Sequence, residues 1–196
     1  MLKKLLILTL LFSIPAFARA ERGSLGLNVN SDNLELEGRI SLATRTDRIE
    51  YRNFYLDANF INGDDDTLWG LGFYVENSPH QYQNLEFSFG LRSVFTGNDK
   101  LDKSFIALPI VIGGKARMYF QNIPKSALGI KLAYAPKPLT FSDGESYLEF
   151  RIQADMEIID NIDIYLGYRN IGTDYKGKGE DVTFNSAPYI GFKFVF

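Results

Sequence analysis

"PYIGFKFVF", Pro188 to Phe196, closes the chain. Ile190, Phe192, Phe194 and Phe196 are large and apolar, and Tyr189, Gly191, Lys193 and Val195 stand between them. A period of two is the signature of a strand. Chain ends are ordinarily where order fades. An alternating aromatic strand that runs to the last residue therefore asks for a partner to hold it. A sheet closed on itself supplies one, because its last strand pairs with its first and no edge is left open.

The same period runs back along the chain. Leu34, Leu36, Ile40 and Leu42 alternate with Glu35, Glu37, Arg39 and Ser41. Phe54, Leu56, Ala58 and Phe60 alternate with Tyr55, Asp57 and Asn59. Comparable runs cover 69–75, 85–91, 128–134, 148–156 and 162–168. Gly23 to Asn30 is a shorter run of the same kind. Ile106 to Phe120 keeps one parity and reads as a single strand bent at Gly113-Gly114, since glycine eases a bend. Pro109 removes one ladder hydrogen bond within it. The reading is ten strands, with eight or nine if the weak first pair merges.

Four connections are rich in glycine and charge: 62–66, 96–100, 141–146 and 174–181. Counting strands outward from the first puts all four on one side, and the short turns at 121–126 and 159–161 on the other. Long loops on one side and tight turns on the other are the asymmetry of an outer-membrane barrel. "ATRTDRIEYRN", Ala43 to Asn53, is long for the short-turn side unless its flanking strands extend into it.

Alternation alone does not say which face is wet. In a soluble sandwich the apolar face is the core; in a membrane barrel it meets lipid and the polar face fills the lumen. Four features favour the barrel. The polar faces carry opposite charges side by side, which would pair in a narrow lumen, although a solvated outer face explains them too. Aromatics stand near strand ends (Trp69, Phe95, Phe120, Tyr134, Tyr147, Tyr168, Phe196), as in interfacial girdles. The runs approach the roughly 9–11 residues that a tilted strand needs to cross hydrocarbon. The terminal strand, Ile190 to Phe196, resembles the signal by which barrel-assembly machinery recognises its clients. The expectation is an all-β, antiparallel, up-and-down transmembrane barrel in the bacterial outer membrane, in contact with its lipid.

The first twenty residues read as a cleaved secretory signal: Lys3 and Lys4, the apolar run Leu5 to Phe12, then Ala18-Arg19-Ala20. The apolar run is too short to span a bilayer as a helix. Residues 21–196 then form one barrel domain. Loss of Lys3, Lys4 and Arg19 moves the formal net charge from −3 to −6, which argues against nucleic-acid binding. The absence of cysteine excludes disulfides and thiolate metal sites.

Three stretches resemble the YfaZ family of outer-membrane proteins: "LAYAPKPLTFSDGESYLEF" (132–150), "IDNIDIYLGYRNI" (159–171) and "APYIGFKFVF" (187–196). "SDNLELEG" (31–38) and the acidic "GDDD" (63–66) fit as well. The resemblance implies a small outer-membrane barrel of a Gram-negative cell and carries over no activity, catalytic residue or ligand.

The residues themselves point to no catalytic group, metal or cofactor. His80 lies in a connection, and Ser78 beside it in sequence does not make a dyad. Asp64-Asp65-Asp66 lacks the spacing of a calcium loop and reads as a solvated acidic tip. Gly113-Gly114-Lys115 is not a phosphate loop. On the barrel reading Glu35, Arg39, Glu86, Arg92, Lys131, Glu149, Arg151, Asp155 and Lys193 fill much of the lumen. A barrel of eight to ten strands is about filled by its own side chains. At most a narrow minor porin is then expected. Loop-mediated interaction, a lipid-modifying barrel enzyme and a soluble periplasmic β protein are the alternatives.

Overall fold

The computed structural model describes residues 23–46, 50–63, 66–98, 103–119, 124–176 and 180–196. Residues 1–20, read above as a secretory signal, lie outside them. Twelve strands form among the described residues: β1 (Gly23–Val29), β2 (Asn33–Thr46), β3 (Glu50–Gly63), β4 (Asp66–Pro79), β5 (Leu85–Asn98), β6 (Lys103–Ala107), β7 (Ile110–Met118), β8 (Ser126–Ala135), β9 (Thr140–Ser142), β10 (Gly144–Ile159), β11 (Ile162–Tyr175) and β12 (Glu180–Val195).

Ten strand positions ring the axis. β6 and β7 pair with successive parts of β5 and together fill one position, while β9 is a short piece paired to β6. Every pairing is antiparallel, and β4–β5 and β1–β12 close the ring. The terminal strand finds its partner here. Ser24 to Val29 pair with Val195 back to Ile190. The Gly23 N–H then donates to the Phe196 carbonyl (2.7 Å) and the Phe196 N–H returns to the Gly23 carbonyl (2.9 Å). The last residue thus completes the closure.

The bend expected at Gly113-Gly114 is not there. Both glycines sit inside β7, and the interruption falls at Leu108-Pro109. Proline has no N–H for the ladder. Its carbonyl still takes the Arg92 N–H (3.1 Å), and the Leu108 N–H turns aside to the Leu139 carbonyl (2.8 Å). Ala43 to Asn53 is resolved as its flanking strands suggested: β2 and β3 extend into it, leaving only 47–49 between them, outside the described residues. Asp160-Asn161 makes the tight β10–β11 turn with Asn161 at φ 70°, a left-handed conformation that asparagine tolerates.

The outer surface is a band of apolar side chains. Phe87, Phe89, Ile152 and Phe192 point outward, with Phe89 58% exposed. Trp69, Phe95, Tyr134 and Tyr168 are outward as well. Tyr147 departs from the expected girdle: its side chain points inward and is fully buried. Phe120 lies outside the described residues. A closed sheet that is greasy outside and polar within is the inverse of a soluble core, and its strands pair around the whole ring, as hydrocarbon demands.

Candidate functional site: the lumen

The inward-pointing side chains form three storeys. Call the end that holds Gly23 and Phe196 the terminal end, and the opposite end the far end.

The far storey is dry. Ile61, Leu68, Val94, Phe105, Tyr147, Ile171, Tyr175 and Phe184, from seven strands, make one apolar cluster inside the wall. Phe105 is its hub. Its ring meets Tyr175 edge-on at 5.3 Å and Tyr147 at 6.5 Å. Gly144 makes room for it, since a Cβ there would lie 2.8 Å from the Phe105 ring.

The middle storey is a belt of buried charge. Arg151 grips Glu35 with both terminal nitrogens, at 2.9 and 2.8 Å, and reaches Glu149 through Nε. Arg92 donates to Glu149 at 2.6 Å and also bonds Asn59. Arg169 bonds Glu35 and donates to Asn185 at 2.9 Å. Asn28 and Asn59 add donors to Glu35, and Tyr147 donates to Glu149 at 2.6 Å. Seven strands are tied across the axis. Charges buried this deeply are tolerated when paired; the pairing here is incomplete at Arg92 Nε and Arg169 Nη2, which have no hydrogen-bond partner among the described residues.

Below the belt the lumen opens. A cavity of about 850 Å³ is lined by Glu35, Arg39, Glu86, Arg92, Lys131, Arg151, Asp155 and Lys193, together with Tyr55, Asp57, Tyr74 and Glu76. His80, Gln83, Tyr119, Lys125 and Asn161, all at connections of the terminal end, form its mouth. Its ion pairs include Lys193 with Asp155 (3.0 Å) and Asp163 (3.2 Å), Lys131 with Asp57 (3.4 Å), and Arg117 with Glu86. Arg39 lies 4.0 Å over the Tyr55 ring, Tyr55 stacks on Tyr74 at 5.1 Å, and the Lys131 ammonium sits 5.1 Å from the Tyr74 centroid. This column runs from β2 through β3 and β4 and reaches across the lumen to Lys131 on β8.

The nine charged positions singled out in the sequence thus divide. Glu149 sits in the belt and away from the cavity, while Glu35, Arg92 and Arg151 belong to the belt and face the cavity from above. Arg39, Glu86, Lys131, Asp155 and Lys193 line the cavity walls. Ile190, Phe192 and Phe194 face outward on β12, and Phe196 is half-buried at the closing seam. Arg169 and Asp57 were missed. Asp57 stands in the polar register of its strand, and extending the 162–168 alternation by one residue reaches Arg169 on the same parity as Tyr165 and Gly167. No cluster of three metal-ligating side chains occurs among the described residues.

A closed antiparallel barrel with a lipid-facing exterior and a charged interior defines the class: a membrane-spanning β-barrel. The chain belongs to the YfaZ family, whose model, described as "YfaZ precursor", matches residues 6–196. No curated protein matches it. Among solved structures it is similar to the NanC porin (14% identity, 88% of this chain and 98% of that one, TM-score 0.41). It is also similar to the β domain of the Bordetella autotransporter BrkA (12%, 89% and 97%, TM-score 0.42). The transport unit of the autotransporter AIDA-I from Escherichia coli is a third (9%, 89% and 87%, TM-score 0.36). These likenesses are too distant to carry function.

Proposed function

We propose that this protein is an outer-membrane barrel of a Gram-negative cell that is shut as a pore and open as a vestibule. It admits small polar solutes from the terminal end and does not pass them on in the conformation described. The plug and belt carry this reading: eight apolar side chains and a five-charge network fill the far part of the lumen, while the terminal part stays open. The longest connection, 136–143, lies at the far end and the tightest turn of the other end is Asp160-Asn161, so the terminal end faces the periplasm. The apolar band contacts lipid, and β12 serves as the strand read by barrel-assembly machinery. The reading assigns no catalysis. The charged half-lumen favours one second reading, a narrow minor porin in which the plug parts to let solute through.

Single-channel recording in planar bilayers separates the two. The wild type is expected to be silent, and Phe105→Ala to show discrete steps. Steady wild-type conductance would overturn the shut reading in favour of the porin. Quenching of Trp69, the single tryptophan, by brominated acyl chains tests the membrane placement independently.

A further inference from the structure

The vestibule wall is balanced in count: eight acids and eight Lys or Arg residues line it. The sign that a solute meets is set by which member of each ion pair is the more exposed to the water in the chamber. In pair after pair it is the cation. The Arg39 side chain is 47% exposed and its partner Glu76 16%. Arg117 is 46% exposed and Glu86 8%. Lys115 and Lys131 are likewise more exposed than Asp155 and Asp57. Lys193 with Asp163 is the near-equal exception.

The cause is side-chain length. Arginine and lysine carry their charge on long stems, whereas aspartate and glutamate end close to the backbone. On the concave inside of a barrel every side chain points toward one axis. The longer member of a pair therefore reaches the water-filled centre, and the shorter one stays at the wall. Glu37, another lining acid, is half-buried and accepts the Tyr165 hydroxyl (2.7 Å).

The ceiling adds to the effect. The belt above the cavity sets Arg92, Arg151 and Arg169 against Glu35 and Glu149, an excess of one positive charge. Low-dielectric walls focus such a field into the space they enclose. A cavity of about 850 Å³ falls in the range of small-molecule sites, roughly 300–1,000 Å³.

We propose that the vestibule is an anion-accepting chamber for small carboxylate- or phosphate-bearing solutes, which enter at the terminal end and lodge beneath the arginine belt. This rests on the vestibule reading above and goes beyond it by fixing the charge of the solute. Lys131 and Lys115 are the cations placed to meet it.

The chain has no cysteine, so one introduced thiol reports alone. Ser88 lines the cavity near the terminal-end start of β5, and Ser88→Cys changes a single atom. The folded protein in detergent is reacted with three methanethiosulfonates of similar size: neutral, sulfonate-bearing and trimethylammonium-bearing. Each rate is divided by that reagent's rate with a free thiol. The neutral reagent is expected to react, and the sulfonate to outpace the trimethylammonium reagent by about tenfold at low salt. The preference should shrink with added salt and vanish in the Lys115→Gln/Lys131→Gln background. Inorganic phosphate and citrate should protect the thiol, and putrescine should not. No reaction with the neutral reagent would overturn the vestibule reading and this proposal with it. A neutral reaction with equal or reversed charge preference would overturn the anion proposal alone.

Discussion

The two halves of the lumen hang on the same ring of strands and obey the same alternation, yet one is dry and the other wet. On β5 the inward residues pass from Glu86 and Ser88 through Arg92 to Val94 and Thr96. On β10 and β11 they pass from Asp155 and Asp163 through Arg151 and Arg169 to Tyr147 and Ile171. Lipid dictates only the outward parity. The inward parity is free to be a core, an ion-pair lattice or a water-filled wall, and here it is all three in turn. The belt is the junction between them, and its pairs are far more buried than the pair of Lys137 and Glu145 in the loop region.

The largest effect is expected where the belt is opened. Glu35→Ala leaves Arg151 and Arg169 buried without their shared carboxylate. Orphaning a buried charge costs about 3–5 kcal/mol. Urea unfolding in lipid vesicles, followed by Trp69 fluorescence, should read a loss of that size, with Glu35→Gln part of the way. A loss under about 1 kcal/mol would mean that water already reaches the belt, and the contrast between the halves would fall.

Next comes the exchange of faces. Arginine at Ile164 sits on the lipid side of β11 and should cost about 2–4 kcal/mol near mid-membrane. Gln153→Arg, on the inward parity of the neighbouring strand, projects into the wet half and should be milder. Equal cost at the two sites would erase the distinction between lipid and lumen. This experiment probes the part of the fold most legible in sequence. The period of two, the closing strand at 188–196 and the outward parity of Phe87, Phe89, Ile152 and Phe192 were all readable, because lipid imposes one rule on every strand. The plug was not read, and its trace is subtle. At the far strand ends apolar residues occupy both parities: Phe60 with Ile61, Leu68 with Trp69, Val94 with Phe95, Phe105 with Ile106 and Tyr147 with Leu148. Two apolar neighbours in a strand mean that both faces are dry, which also explains why Tyr147 turns inward. The direction of each ion pair in the vestibule was beyond the sequence, since exposure depends on curvature and neighbours.

A smaller effect separates wall from axis in the wet half. Tyr74 lies flat over Gly72, where an added Cβ would come within 2.2 Å of the ring. Gly72→Val should push that ring toward the axis, at a cost of about 1–3 kcal/mol for overpacking. Labelling of Ser88→Cys by the neutral reagent should slow in the double variant. An unchanged rate would mean that the ring has another place to lie and that its seat over Gly72 does not govern access to Ser88.

The smallest effect sharpens the comparison by holding distance fixed. Lys137 and Glu145, in the far-end connection, approach to 2.7 Å, almost the same separation as Arg92 and Glu149 at 2.6 Å. The first pair is largely in water and the second is sealed between plug and vestibule. Exposed pairs contribute roughly 0–1 kcal/mol, because water solvates either partner when the other is removed. Lys137→Ala should therefore shift the urea midpoint barely, while Arg92→Ala takes from the buried Glu149 carboxylate one of its two cations, leaving it Arg151 and Tyr147, and should shift it by several times as much. Raising the salt concentration should abolish what little Lys137 contributes and leave the Arg92 effect intact, since screening reaches only the pair that ions can approach. If the two substitutions were equal and equally salt-sensitive, the belt would be as wet as the loop above it, and the lumen would have to be treated as one continuous aqueous path.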